Sequence, residues 1–567
     1  MTDWFHGTHA LLLAYSATQA PMFAGLFRAR ARFHQYVASP LVAAPLMLVA
    51  ALGSAASDAV IPHSGLLVGM GLSVALGYAG GRSLAREVDE VRVHQRGSLV
   101  APSAQASRAR ETGNDASNAA DRGAAITLAG LAVPALDEAK HFKLIGTTGT
   151  GKSTAIGEML SQALARGDRA VIADPDGGYL QRFYDRDRGD VVLNPFDSRS
   201  VKWDLFAEIR NDYDVEQLAR SLIPDREGQD RSWRAYARTF FTAVVRQARE
   251  AQINDVGELY ELLVVADNAE LRELVRGTPA QPFLDEHNTR MFDSIRSVTS
   301  SAVGALEHIS RQTARGFSVR DWIDRESRGV LFMPYKAGQI AALHSTISAW
   351  MRLAIFETMD RASEATSDAE PKRLWFVVDE LDALGQIDGL KDALARLRKF
   401  GGRCVLGFQS IAQVSSTYGH GEAHTIVENC GNSLILRCSA SEGGGTARFA
   451  SQLIGEREVL RTSVSKSRRA TEFWGSTTRS QQFAVESAVL PSQVEQLPDL
   501  AGYLKFASEP QWLRVRLDAR RAWGQRRAAS YADADARAAH VRAADARAAD
   551  AGVPVDPRSG IELGDGP

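Results

Sequence analysis

His141-Phe-Lys-Leu-Ile-Gly-Thr-Thr-Gly-Thr-Gly-Lys-Ser-Thr154 is the stretch of this sequence that decides the fold. A short apolar run leads into Gly146-x-x-x-x-Gly151-Lys152-Ser153, and a helical pattern (AIGEMLSQALA) follows. Strand, glycine-rich loop and helix in this order form the P-loop arrangement. The alternative is an ordinary glycine-rich turn, which the strand before the loop and the helix after it disfavour. We therefore predict an α/β domain built on a parallel sheet.

The residue types of this loop suit a nucleotide triphosphate. Glycines let successive backbone N–H groups point at phosphate oxygens, and the helix adds the positive end of its dipole. Lys152 is expected to reach the β- and γ-phosphates and the Ser153 hydroxyl to ligate Mg²⁺, so the predicted cofactors are ATP and Mg²⁺. The predicted nucleotide-binding residues are Gly146, Thr147, Thr148, Gly149, Thr150, Gly151, Lys152, Ser153 and Thr154.

Hydrolysis also needs a second strand, one that ends in acidic residues. The segment that fits is Arg373-Leu-Trp-Phe-Val-Val-Asp379-Glu380. We predict that Asp379 holds the Mg²⁺ shell and that Glu380 orients or deprotonates the attacking water. In isolation a buried strand ending in a solvated Asp-Glu pair is common. The P-loop upstream favours the catalytic interpretation.

Two further candidates follow Glu380. The apolar run Arg403-Cys-Val-Leu-Gly-Phe408 ends at Gln409, whose amide could sense the γ-phosphate or could simply terminate the strand. A basic helical run at residues 391–399 contains Arg396 and Arg398. From the residues alone, a solvated helix face is the default interpretation of this run, and an arginine finger is the alternative.

Composition limits the class of protein. The chain has 567 residues, 66 Lys+Arg against 68 Asp+Glu and 45% hydrophobic residues. That content excludes a wholly disordered chain, and the near-zero net charge argues against a polybasic protein that coats DNA. Its three cysteines, Cys404, Cys430 and Cys438, are too widely spaced for a disulfide framework or a zinc site.

The N-terminal part of the chain is the most apolar. Residues 36–56 and 64–81 each lack charge and are about long enough to cross a bilayer. Arginines precede the first stretch and follow the second, which predicts a transmembrane hairpin at 36–82 with both ends in the cytoplasm. The alternative is a pair of buried soluble helices. Residues 1–35 are predicted to be cytoplasmic or interfacial.

The rest of the chain divides by pattern. Residues 83–125 are rich in Ser, Ala, Asn and Gly and predict a linker. The nucleotide-binding domain is predicted at 126–206 and 327–517, interrupted by an all-helical insert at 207–326 where only amphipathic helical runs occur. Residues 518–567 form an Ala/Arg/Asp-rich tail that predicts helix followed by disorder.

Taken together, these motifs resemble the type IV secretion coupling proteins of the conjugative TraD class, ring-forming ATPases of the RecA-like, FtsK-related DNA-pump group. The resemblance rests on the membrane stretches, the P-loop, Asp379-Glu380 and Phe408-Gln409-Ser410, and on three more segments: Asp174-Pro-Asp-Gly177, Leu193-Asn-Pro-Phe-Asp197 with Trp203-Asp-Leu-Phe206, and Leu490-Pro-Ser-Gln-Val-Glu-Gln-Leu-Pro-Asp-Leu500. One departure is Gly178, where the family often has an acidic residue.

The resemblance implies a RecA-like fold and catalytic roles for Lys152, Glu380, Gln409 and Arg398, the last as the inter-subunit arginine. It also implies a homo-hexamer in the bacterial inner membrane, multi-pass, with its ATPase domain in the cytoplasm. The implied partners are DNA, single-stranded and carrying its relaxase, and the type IV secretion channel proteins. The implied function is an ATPase that drives DNA transfer in conjugation.

Three alternatives stay open at this point. A secretion ATPase that recruits protein effectors shares all of these motifs. A chromosome-segregation translocase of the FtsK kind shares the motor but would bring more membrane helices and a winged-helix tail. A non-catalytic membrane receptor would not need a water-activating acid such as Glu380.

Overall fold

The computed structural model describes residues 91–102, 125–225, 231–325, 328–364, 372–467, 476–522 and 527–532, together with short stretches between residues 15 and 75. The chain divides into two compact units. One contains residues 1–96 and 457–486, and the other contains residues 97–456 and 487–567.

The described strands are β1 Val91–Gly97, β2 Val100–Pro102, β3 Thr127–Leu128, β4 Leu131–Ala132, β5 Phe142–Ile145, β6 Arg169–Pro175, β7 Val191–Val192, β8 Lys202–Trp203, β9 Gly316–Phe317, β10 Val330–Tyr335, β11 Leu374–Val378, β12 Gly402–Phe408, β13 Asn432–Ile435, β14 Glu456–Ser467, β15 Ser476–Ser487, β16 Ala501–Lys505 and β17 Trp512–Arg516.

The described α-helices are α1 Ala135–Glu138, α2 Lys152–Ala165, α3 Gly178–Phe183, α4 Asp212–Leu222, α5 Arg231–Glu250, α6 Val256–Tyr260, α7 Asn268–Leu274, α8 Thr289–Val303, α9 Ala305–Ser310, α10 Val319–Asp324, α11 Ile340–Glu364, α12 Leu390–Leu397, α13 Ile411–Tyr418, α14 His420–Asn429, α15 Gly445–Ile454, α16 Pro491–Glu495 and α17 Ala519–Ala522.

A ten-stranded sheet organises the larger unit, in the order β2-β17-β16-β13-β5-β12-β11-β6-β10-β7. From β13 to β7 all neighbours are parallel, while β16 pairs antiparallel with β13 and with β17. Every residue of β10 and β11 is buried, as expected of parallel strands covered by helices on both faces. The α/β class predicted from the sequence is confirmed, and the sheet is mixed because antiparallel strands extend one side.

Alternate residues of the central strands face two apolar clusters. Val171 and Phe376 point into the cluster that also contains α11 and the insert. Ile172 and Val377 point into the cluster on the other face, which contains the apolar side of α2. The sheet is therefore held between two helical layers, and the ends of its parallel strands share one edge.

Helices α4–α10 occupy the region where the sequence predicts an all-helical insert. Phe240 and Phe292 pack edge to face in its core, with ring centroids 5.1 Å apart. Phe240 and Phe241 are fully buried. The two-residue strand β9 lies in this region and pairs in parallel with β8, which precedes it. Two residues carry no periodicity, so the hydrophobic pattern does not predict this strand.

Glu208 joins the two ends of the insert. This buried carboxylate accepts hydrogen bonds from the Trp203 indole (2.9 Å) and the Ser318 hydroxyl (3.1 Å). It also accepts from the backbone N–H groups of Val319 (2.6 Å) and Arg320 (3.1 Å), which open α10. Residues more than 100 positions apart are thereby held together at the base of the insert.

The smaller unit contains a three-stranded sheet in the order β1-β14-β15. Arg96 pairs with Glu458, and Arg457 and Arg461 both pair with Glu486. Strand β1 lies in the segment that the composition predicts to be a linker. The predicted membrane hairpin at residues 36–82 lies almost wholly outside the described residues, and among the helices that are described none combines the length and apolarity needed to cross a bilayer.

Part of the C-terminal tail packs on loops that follow the sheet strands. The Arg527 backbone N–H donates to the Gln181 carbonyl (2.9 Å), and the Lys336 ammonium lies 3.5 Å from the Tyr531 ring centroid. Ser530 closes over Gly177, since a Cβ placed at Gly177 would stand 2.1 Å from the Ser530 carbonyl oxygen. Residues 533–567 lie outside the described part of the chain.

Candidate nucleotide site

The P-loop connects the end of β5 to the start of α2. Gly149 and Gly151 have φ values of 77° and 118°, which glycine adopts at low cost. A Cβ at Gly151 would also lie 2.9 Å from Leu500 and Leu517 side-chain atoms. The loop therefore needs glycine at position 151 both for its turn and for its packing against the segment before β16.

The remaining loop residues are arranged around this turn. A Cβ at Gly146 would lie 2.8 Å from Leu436, so this position also requires glycine. The Thr147 N–H donates to the Arg437 carbonyl (2.9 Å), and the Thr150 hydroxyl donates to the Thr147 carbonyl (2.7 Å). Thr148 and Gly149 are exposed, and Thr154 is half-buried on the first turn of α2.

Lys152 lies under the loop. Its Nζ donates to the carbonyl oxygens of Gly146 (2.8 Å) and Thr147 (3.3 Å). Burial lowers the pKa of Lys152 from its usual range, and the Asp379 and Glu380 carboxylates partly offset this. The ammonium is thus aimed into the loop, with two carboxylates of the next acidic strand end beside it.

Ser153 and Asp379 meet, as the sequence predicts. The Ser153 hydroxyl donates to Asp379 Oδ2 at 2.6 Å. Asp379 is 4% exposed, and its Oδ1 has no hydrogen-bond partner among the described residues. A buried carboxylate oxygen without a protein donor, beside a hydroxyl oxygen, is a donor set that Mg²⁺ binds. The residues present therefore fit the predicted cation.

Glu380 and Gln409 form a polar chain with the loop. Gln409 Nε2 donates to Glu380 Oε1 (3.2 Å), and the Thr148 hydroxyl donates to Gln409 Oε1 (2.9 Å). Burial raises the pKa of Glu380 above its usual range, with further contributions from Asp379 and Asp382. A carboxylate with a raised pKa is a better proton acceptor, which suits the role predicted for it.

The sheet explains why these residues converge. Strands β5, β12 and β11 are neighbours and run parallel, so the P-loop, Gln409 and Asp379-Glu380 all follow carboxyl ends at the same edge. Ligands in open α/β sheets bind at that edge. Residues from three separate sequence segments are thereby placed within hydrogen-bond distance of one another.

Arg398 lies elsewhere. It is exposed and opens the 3₁₀ turn Arg398–Phe400, just before β12 begins. Strand β12 has seven residues, and about 3.3 Å per residue puts its two ends about 20 Å apart. Gln409 is at the other end of that strand. Arg398 is therefore too far from the P-loop of its own subunit to contact a nucleotide there.

Tyr179 is a site residue that the sequence reasoning missed. Its hydroxyl donates to Asp379 Oδ2 at 2.8 Å, so this oxygen accepts from both Tyr179 and Ser153. Tyr179 is the second residue of α3, the helix that follows the Asp174-Pro-Asp-Gly177 segment. That segment at the end of β6, the strand next to β11, was the signal available in the sequence. It indicated a functional loop without indicating which side chain reaches the site.

The sequence of this chain is similar to those of known proteins. Residues 125–518 match a family described as the type IV secretion-system coupling protein DNA-binding domain. The chain is 31% identical over 373 residues to the coupling protein TraD of Escherichia coli strain K12, which covers 65% of this chain and 51% of TraD. A shorter region of 125 residues is 30% identical to the type IV secretion system-coupling protein VirD4 of Bartonella quintana, covering 22% of this chain and 19% of VirD4. The chain thus spans about half the length of TraD.

Solved structures of similar fold include the bacterial conjugative coupling protein TrwBΔN70 in an unbound form. The two chains are 28% identical with a TM-score of 0.67, covering 79% of this chain and 98% of the other. Plasmid coupling protein TrwB in complex with ADP and Mg²⁺ gives a TM-score of 0.65 at 28% identity, covering 79% and 99%. The fold around the mixed sheet fits a RecA-like NTPase.

Proposed function

Because the chain belongs to the type IV secretion-system coupling protein family, we propose that it is an ATPase that couples ATP hydrolysis to the transfer of DNA, with its bound relaxase, through a type IV secretion channel. The observation that carries this proposal is the convergence of Lys152, Ser153, Asp379 and Glu380 at one sheet edge, inside the region that matches the family. The description of that family names a DNA-binding domain, and relatives include conjugal transfer proteins.

In this proposal the P-loop binds the triphosphate of ATP. Backbone N–H groups from Gly146 to Ser153 and the start of α2 face the phosphates, and the Lys152 ammonium exchanges its bonds to loop carbonyls for bonds to phosphate oxygens. Ser153 and Asp379 hold Mg²⁺, which when bound neutralises charge on the phosphate oxygens. TrwB complexes with ADP and Mg²⁺ and with an ATP analogue support the choice of ATP and Mg²⁺.

Hydrolysis in this proposal depends on Glu380. Its carboxylate accepts a proton from, or orients, the attacking water, and its raised pKa favours that step. Gln409 forms hydrogen bonds both with Glu380 and with Thr148 of the loop. It therefore links the phosphate-binding loop to the proposed base.

Arg398 acts on the neighbouring subunit in this proposal. The guanidinium cannot reach its own P-loop, is exposed, and forms no ion pair or hydrogen bond with the rest of the described chain. An arginine that completes the site of a neighbour requires a closed ring of subunits. We propose a homo-hexamer, on the basis of the family resemblance.

The location proposed for the chain follows from its N-terminal sequence. Residues 36–82 contain two uncharged apolar stretches flanked by arginines, which supports a hairpin anchored in the bacterial inner membrane with the ATPase domain in the cytoplasm. The short loop between the stretches would face the channel proteins. The helical insert α4–α10 would face the incoming relaxase and DNA.

Steady-state ATP hydrolysis by the full chain in detergent tests the enzymatic part of this proposal. We expect Mg²⁺-dependent hydrolysis that Lys152→Ala abolishes, since the ammonium is the main phosphate contact of the loop. Equal rates for the Lys152→Ala variant and the unaltered chain would contradict the assignment of the site.

A further inference from the structure

The hydroxyl of Tyr179 is buried at the centre of the cation site. Tyr179 is 2% exposed, and its hydroxyl lies 2.8 Å from Asp379 Oδ2. The two residues are 200 positions apart and come from neighbouring strands, β6 through α3 and β11. The same oxygen also accepts the Ser153 hydroxyl at 2.6 Å.

The backbone before Tyr179 holds it in place. Asp174 is fully buried and accepts the backbone N–H groups of Tyr179 (3.1 Å) and Leu180 (2.7 Å). Gly177, with φ 68°, makes the turn into α3 and is covered by Ser530. The tyrosine is therefore presented by a capped, short helix whose start is fixed from both sides.

The hydroxyl serves as a donor in this position. Its hydrogen is donated to Asp379 Oδ2, because an ionised carboxylate offers only acceptors. A carboxylate oxygen that accepts a phenol hydrogen is oriented by it. This bond therefore fixes the orientation of the Asp379 carboxylate beside Ser153.

We propose that Tyr179 is a positioning residue for magnesium: its hydroxyl fixes the orientation of the Asp379 carboxylate, which would hold the cation together with Ser153. This inference rests on the proposed function of the site as an Mg²⁺–ATP site. Ser153 also donates to Oδ2, and a hydroxyl that ligates Mg²⁺ through its oxygen keeps its hydrogen, so both donors can orient Asp379 in the loaded site. Tyr179 is the one of these two donors that is not itself a predicted Mg²⁺ ligand.

The test is the magnesium dependence of nucleotide binding by the full chain carrying Tyr179→Phe. This change removes only the hydroxyl and keeps the buried ring. Binding of a fluorescent ATP analogue is titrated with Mg²⁺ and, separately, in the presence of a chelator. We expect the Mg²⁺ concentration at half effect to rise about tenfold, the size expected for losing one hydrogen bond to a charged group. Affinity in the chelator should be unchanged.

Tyr335→Phe is the matched control. Tyr335 is 4% exposed on the adjacent strand β10, and its hydroxyl is buried without a hydrogen-bond partner among the described residues. We expect this variant to bind Mg²⁺ and nucleotide as the unaltered chain does. An unchanged Mg²⁺ dependence in Tyr179→Phe would overturn the proposal, and so would an equal shift in Tyr335→Phe.

A second variant covers the case in which Tyr179→Phe does not fold. Asp174→Asn keeps the shape of the side chain but weakens the cap that presents Tyr179, so a smaller rise in the Mg²⁺ requirement is expected. No rise would contradict the proposal. These measurements need neither DNA nor turnover, so their outcome does not depend on whether the protein transfers DNA. Failure to bind ATP in any condition would instead contradict the proposed function itself.

Discussion

Glu380 is the residue on which the proposed hydrolysis depends most directly. Glu380→Gln keeps the size of the side chain and its contact with Gln409 but cannot accept a proton. We predict that the turnover of ATP falls by about 10² to 10⁴. Affinity for the nucleotide should be unchanged, because Lys152 and the loop are untouched. Parallel measurements of turnover and nucleotide binding check this, and loss of both together would show that Glu380 is structural.

The pH dependence of hydrolysis should reflect the surroundings of Glu380. Burial and the charges of Asp379 and Asp382 raise its pKa, while the hydrogen bond from Gln409 lowers it. Since the carboxylate form is the active one, the rate should fall as pH decreases through this raised pKa, at a higher pH than for an exposed glutamate.

Two substitutions should move this fall in rate at low pH, the acid limb of the pH profile, in opposite directions. Asp382→Asn removes a repelling charge and should shift the limb to lower pH. Gln409→Leu removes the amide donor and should shift it to higher pH. Profiles of kcat between about pH 5 and 9 measure both. A limb that moves in neither variant would mean that another group controls the rate.

The predictability of the site differs from residue to residue. Lys152, Ser153, Asp379 and Glu380 could be found in the sequence because each stands in a local pattern, a glycine-rich loop or an apolar strand that ends in acids. Tyr179 could not, because its role comes from a contact 200 residues away. Nothing in Gly-Gly-Tyr-Leu distinguishes a tyrosine that reaches a cation site from one that fills a core.

At the scale of elements, Glu208 determines how the insert is attached. It accepts four hydrogen bonds that join β8 and the start of α10. We predict that Glu208→Ala lowers the free energy of unfolding by about 3 to 5 kcal/mol, because it leaves buried donors without acceptors. Denaturant or thermal unfolding of the full chain measures this.

Glu216→Ala is the control for that experiment. Glu216 is exposed on α4 and pairs with Arg246 at 3.1 Å. An exposed pair of this kind contributes about 0.5 kcal/mol or less. Equal destabilisation by the two variants would contradict the role assigned to Glu208.

The elements were predictable where the sequence carries a local apolar pattern. The long amphipathic helices of the insert follow from their periodicity, and the strands β5, β11 and β12 follow from their continuous apolar runs. The strand β1 did not, because it lies in the segment predicted to be a linker and it pairs with β14, which is remote in sequence. The packing of residues 527–532 could not be predicted either, because an Ala/Arg-rich sequence does not indicate which surface it will contact.

At the scale of the whole molecule, the position of Arg398 leads to a prediction about assembly. A subunit with Arg398→Ala keeps its own P-loop, and a subunit with Lys152→Ala keeps its arginine. Each variant alone should lose hydrolysis, by about 10³-fold or more for the arginine. Co-expressed in mixed rings they should recover part of it, because some intact P-loops then meet an intact neighbouring arginine.

The control for complementation is a mixture of Lys152→Ala with Glu380→Gln subunits. Both changes disable the site of the subunit that carries them, so the mixture should stay inactive. Recovery in this control, or no recovery in the first mixture, would contradict an arginine that acts between subunits.

Coupling of ATP hydrolysis to DNA is best measured as the dependence of the hydrolysis rate on added DNA. The full chain is assayed with single-stranded DNA, double-stranded DNA or no DNA at low salt, with Lys152→Ala as the blank. We predict marked stimulation by DNA, strongest with single strands, that is absent from the blank and weakens as salt rises. Hydrolysis that is indifferent to every DNA would contradict this coupling and would favour a secretion ATPase that recruits protein effectors.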